Sequence, residues 1–148
     1  LEAGSDAFAA INTLMGMAID IESRMPVIGN NQGGLSGPAI KPIALLKVHQ
    51  VYQVCRDHGV PIIGQGGITC AADALEFFIA GASAVGIGTA IFYDPLILAK
   101  INQGILDYLD RQGLVGLAQL TGSLRLHGQP VPACGCSEPQ DGGKHLPQ

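Results

Sequence analysis

Two stretches of this chain could do chemistry with backbone rather than side chains. Pro61-Ile62-Ile63-Gly64-Gln65-Gly66-Gly67-Ile68 reads as a short buried strand that stops at a glycine pair and hands over to a helix. Ala84-Val85-Gly86-Ile87-Gly88-Thr89 repeats that grammar further on. Neighbouring parallel strands that end in turns of small residues leave N–H groups bare at a helix start, where a phosphate can sit. Gly66, Gly67, Gly88 and Thr89 are therefore the candidate anion cradle. In barrels of eight βα units such a cradle follows the last two strands.

Composition narrows the partners. The 148 residues are 47% hydrophobic, enough for one domain and one core. Net charge is −4 and the eight Lys and Arg are scattered, so no nucleic-acid partner is expected. Residues 77–93 are uncharged, but glycines divide them and the run is short for a membrane span, so they read as buried core. The first residues show no signal-peptide pattern. Cys55 and Cys70 read as small buried thiols, and Cys134-x-Cys136, near His127 and His145, does not have zinc-site spacing. No metal and no disulfide framework are expected, and the cytoplasm is the expected compartment.

The elements that must position the cradle follow from periodicity. Residues 7–13 read as a buried strand ending in the polar pair Asn12 and Thr13. Residues 14–38 form a long connection, glycine-rich at 33, 34 and 37, with a short extended piece at Pro26–Gly29. A helix should start near Lys41-Pro42, bury Ala44, Val48, Val51 and Cys55, and end at Gly59. The strand 61–65 barely alternates, as expected for one covered on both faces. Thr69 should cap the next helix, which buries Ala71, Ala74, Leu75, Phe78 and Ile79 and stops at Gly81. Asp94-Pro95 should open a last helix with Leu98, Ile101, Ile105 and Leu109 inward, closed by Gly113. Residues 114–126 suggest a short helix, and composition from His127 onward reads as disorder. This order means a parallel α/β sheet, either a small open one or the C-terminal portion of a (β/α)8 barrel, about three βα units of it.

Four segments occur in order: Ile11-Asn12-Thr13-Leu14-Met15-Gly16, Gly33-Gly34-Leu35-Ser36-Gly37-Pro38 continuing to Leu45, the 61–67 strand and turn, and 80–89. Together they resemble the C-terminal part of dihydroorotate dehydrogenase, and most closely the class 1B, NAD-linked catalytic subunit. The resemblance covers residues 1–113 and leaves 114–148 as a helix and tail. It implies a TIM barrel holding FMN at the C-terminal ends of its strands and oxidation of dihydroorotate to orotate in pyrimidine synthesis. It implies that Gly66, Gly67, Gly88 and Thr89 hold the FMN phosphate, that Gly37 allows close backbone approach, and that Ile11 lies against the cofactor. Asn12 and Thr13 would bind the substrate. An electron-transfer subunit with FAD and an iron–sulfur cluster, NAD as final acceptor, and a homo-oligomer when full length are implied as well.

The family's catalytic cysteine and flavin-contacting lysine belong to earlier strands. No residue here is assigned as base: Cys70 stands at a helix start, Cys55 on a buried helix face, and Lys41 reads as a surface residue. The 148 residues are thus expected to be a fragment with little turnover of its own. Two enzyme alternatives are a dihydropyrimidine dehydrogenase-like flavin barrel and a flavin-free phosphate-binding lyase or isomerase. A non-catalytic piece that associates through open strand edges is the third.

Overall fold

The computed structural model describes residues 1–128. Its centre is a three-stranded parallel sheet. Strand β1 is Phe8–Ala10; the chain then makes an excursion through β2 (Leu14–Gly16), β3 (Ile19–Asp20), β4 (Met25–Pro26) and β5 (Gly33–Leu35). Helix α1 (Lys41–Cys55) leads to β6 (Ile62–Gln65), and α2 (Ala71–Ala80) leads to β7 (Ala84–Gly86). A single turn, α3 (Ala90–Tyr93), and a long helix, α4 (Ile97–Gln112), complete the order. The sheet runs β1-β6-β7, with Phe8 beside Ile62 and Gln65 beside Gly86. Both links between neighbouring strands pass through a helix, as parallel pairing requires.

The core lies between this sheet and α1, α2 and α4. Phe77, Ile62, Ile101, Val48 and Cys55 are its largest fully buried side chains. At Gly64 a Cβ would come within 2.7 Å of the Phe77 ring and 3.0 Å of Ala82, so the strand lies directly on α2. Ile62 and Gly64 face the helices, whereas Ile63 is 40% exposed. This corrects the expectation of a strand covered on both faces: side chains alternate across a strand, and among the described residues only one side is packed. Strand β1 is likewise half-buried and shorter than residues 7–13, since it pairs with β6 alone.

The connection 14–38 is more ordered than its composition suggests. Strands β2 and β5 pair antiparallel, as do β3 and β4. A Cβ on Gly34 would collide with the Thr13 side chain, so the glycine lets β5 lie close against the residue that leads into β2. These ribbons leave Met15, Met17, Ile19, Ile21, Met25 and Val27 exposed.

Helix α1 starts at Lys41 and buries Ala44, Val48 and Cys55, with Val51 half-buried. A short 3₁₀ turn follows it, and Gly59 closes that turn in the left-handed conformation, φ 66°. Helix α2 is capped at Cys70 and not at Thr69, because the Asp73 carboxylate takes the amides of both. Cys70 is exposed rather than buried, as befits a cap position outside the packed face. Ala71 and Ile79 are half-buried on α2, and Phe77, absent from the expected face, is fully buried.

Helix α4 begins at Ile97, after the turn α3 that sequence did not suggest. Its buried stripe is Ile97, Ile101, Ile105 and Leu109 at a spacing of four, which turns Leu98 outward at 47% exposure. Gly113 ends it at φ 65°. Beyond it, residues 117–119 form a 3₁₀ turn, and the amides of Gly122 and Leu124 fasten to the Phe78 and Ile79 carbonyls at the end of α2. The expected disorder and the Cys134-x-Cys136 pair fall on a tail of which residues 129–148 lie outside the described residues. Residues 77–93 are the end of α2, β7 and α3; among the described residues no helix is long and apolar enough to cross a membrane.

Candidate functional site

Parallel register sets the C-terminal ends of β1, β6 and β7 level, and the segments that leave them enclose one cavity of about 380 Å3. That is within the ~300–1,000 Å3 of small-molecule sites. All eight residues singled out from sequence line it: Ile11, Asn12 and Thr13 after β1, Gly37 before α1, Gly66 and Gly67 after β6, and Gly88 and Thr89 after β7.

The turn after β6 is built for close packing. Gly66 and Gly67 have φ of 129° and 78°, conformations that side-chain-bearing residues rarely hold. A Cβ on Gly67 would lie 2.8 Å from the Gly37 carbonyl oxygen and 3.0 Å from the Lys41 nitrogen. The turn is therefore pressed against the start of α1. Among the described residues, no backbone carbonyl accepts a hydrogen bond from the amides of Gly66, Gly67, Gly88 or Thr89. Amides without an internal acceptor, gathered at one cavity, suit an oxyanion or water. Thr89 precedes α3 but makes no side-chain cap bond, which leaves its hydroxyl for a ligand.

Beside this turn, the Ile11 amide donates to the Gln65 carbonyl at 2.9 Å, and Gln65 Nε2 donates back to the Ile11 carbonyl at 3.3 Å. This exchange ties the end of β1 to the end of β6. Asn12 Oδ1 accepts from the Thr13 amide at 2.7 Å, so the NH2 end of Asn12 is what a ligand can use.

No residue lining the cavity carries a formal charge. A charged cluster adjoins the turn after β6. Lys41 Nζ donates to Asp73 Oδ1 at 2.6 Å and to Glu76 Oε1 at 3.1 Å. Asp73 Oδ2 accepts from the Thr69 amide at 2.8 Å, the Thr69 hydroxyl at 2.7 Å and the Cys70 amide at 3.2 Å. Burial pushes the Asp73 carboxyl up, but the bonds from Lys41, Thr69 and Cys70 outweigh it and hold the group well below the ordinary carboxylate range. The bond to Asp73 likewise holds Lys41 above its ordinary value against burial. Lys41 is thus a half-buried ion-pair partner, not the free surface residue expected.

Sequence reasoning missed this cluster, and also Ser36, Gln65 and Tyr93 in the lining. Asp73 was findable as the third residue after the cap, the position from which a carboxylate reaches back to the cap amide. Its partner Lys41 lies 32 residues away and carries no local signal.

The sequence profile of the family described as Dihydroorotate dehydrogenase matches residues 1–109. The chain is 52% identical over 126 residues to "Dihydroorotate dehydrogenase B (NAD(+)), catalytic subunit" of Geotalea daltonii, covering 85% of this chain and 40% of that one. It is 54% identical over 123 residues to the protein of the same name from Pelobacter propionicus, covering 83% and 40%. The ferulenol complex of DHODH from Eimeria tenella superposes with a TM-score of 0.68 at 28% identity, over 82% of this chain and 32% of that one. The chain therefore spans about 40% of the length of the curated relatives it matches. Its alternating parallel strands and helices are part of a TIM barrel. With a family profile over most of its length and relatives at about half identity, the chain belongs to the dihydroorotate dehydrogenase family.

Proposed function

We propose that this chain is the FMN- and substrate-binding C-terminal part of an enzyme that oxidises dihydroorotate to orotate in pyrimidine synthesis. The observation that carries the reading is the meeting of both strand tips and the Asn12-Thr13 pair in one uncharged cavity. The residues present fit the cofactor: unspent amides and the Thr89 hydroxyl, with apolar Ile11 and Ile87 beside them. FMN, when bound, supplies the acceptor for the substrate hydride. Gly66, Gly67, Gly88 and Thr89 hold its phosphate, Gly37 lets the backbone approach, and Ile11 packs against the ring system. Asn12 and Thr13 orient the carboxylate- and imide-bearing substrate with neutral donors and acceptors.

The base that takes the substrate proton comes from an earlier part of the barrel, so we expect the 148 residues alone to show little turnover. The relatives' name, a catalytic subunit linked to NAD(+), supports electron delivery to a second subunit carrying FAD and an iron–sulfur cluster. A cytoplasmic homo-oligomer is the assembly we propose. A dihydropyrimidine dehydrogenase-like activity is the competing reading within flavin barrels. Family membership weighs against the flavin-free lyase. The test is a titration of the full-length protein: a yellow, FMN-loaded preparation whose flavin spectrum responds to orotate and not to uracil supports the reading. A colourless protein, or one that prefers uracil, refutes it.

A further inference from the structure

We infer that Asp73, through its ion pair with Lys41, is the positioning residue of the phosphate end of the site, and that it tunes FMN affinity without touching the ligand. The inference rests on the FMN reading above and deepens it.

Two segments form the wall around the Gly66-Gly67 turn: the start of α1 and the start of α2. They come from different βα units, and no backbone ladder joins them. Lys41 is the first residue of α1, and Asp73 lies in the first turn of α2. Their 2.6 Å bond spans the gap from one helix start to the other. The second Asp73 oxygen is committed to Thr69 and Cys70, the residues that carry the chain out of the turn. One carboxylate therefore holds the exit of the turn and, through lysine, its opposite wall. The wall has little slack: a Cβ at Gly67 would already lie 3.0 Å from the Lys41 backbone nitrogen. A loosened clamp moves the turn's amides relative to those of Gly88 and Thr89. A phosphate held by donors from both tips depends on that spacing, whereas riboflavin, which carries no phosphate, does not engage those donors.

Local capping alone would give a different result, and the two bonds of Asp73 can be separated. Lys41→Met removes the cross-helix bonds to Asp73 and Glu76 and leaves the Thr69 and Cys70 bonds in place. Asp73→Asn keeps an oxygen for the cap amides and removes the charge. Lys41→Arg restores the pair with a longer donor. In the full-length protein, stripped of flavin, affinities for FMN and for riboflavin are measured by fluorescence quenching, with thermal melting of each variant alongside. We expect Lys41→Met and Asp73→Asn to weaken FMN by about tenfold or more and riboflavin by less than about twofold, with Lys41→Arg recovering most of the loss. Equal weakening of both flavins, or an unchanged FMN-to-riboflavin ratio, would overturn the inference while leaving the FMN reading intact. Wild-type protein that binds FMN no better than riboflavin would overturn both.

Discussion

Gly67 is where conformation and space constrain the site together. Its φ of 78° is strained for any side chain, and the Gly37 carbonyl stands 2.8 Å from where a Cβ would be. Gly67→Ala should therefore destabilise the protein by about 1–3 kcal/mol and abolish FMN retention. Gly88→Ala is the contrast: its Cβ would meet no atom within 4 Å, and stability should stay within about 0.5 kcal/mol of wild type. Denaturant melts of the two variants check both. That Gly66, Gly67, Gly88 and Thr89 line one cavity was legible in the sequence, because small residues directly after an apolar run mark the tip of a strand. Lys41 was not, because its role depends on Asp73, which the fold alone brings within reach.

At the level of elements, helix periodicity was readable and strand environment was not. Three of the four positions expected inward on α4 are buried, but the stripe starts at Ile97, one residue before Leu98. The expected start at Asp94-Pro95 set the phase, and the extra turn α3 shifts the true start. Ile101→Ala should cost about 2–5 kcal/mol, whereas Leu98→Ala should stay within about 0.5 kcal/mol, both by chemical denaturation. The 14–38 segment read as a plain connection because its strands are only two or three residues long and too glycine-rich to alternate. The turn between β6 and α2 carries a pH signature. Folding depresses the Asp73 carboxyl below its ordinary value of 3.8, so its contribution is complete above that pH and fades as pH falls from there toward the folded-state value. Wild type should lose stability on acidification below about pH 4 more steeply than Asp73→Asn, as acid melts of the pair will show.

Across the whole molecule, helices cover one face of the parallel sheet while Ile63 on the other is 40% exposed. A sheet helix-covered on one side and lined by strand side chains on the other is what a barrel segment presents. The alternation of strand and helix in the sequence was enough to read the parallel sheet. Whether it was open or part of a barrel needed the comparisons, since three units look alike in either setting. The site's geometry is likewise collective: each tip offers only a few amides, and the register of β6 with β7 brings them to one cavity. The direct measurement is an amide spectrum of the full-length protein, assigned at Gly66, Gly67, Gly88 and Thr89, recorded with FMN and with riboflavin. Shared phosphate binding requires signals from both tips to shift with FMN and to stay nearly still with riboflavin. A response confined to one tip, or the same response to both flavins, would contradict it.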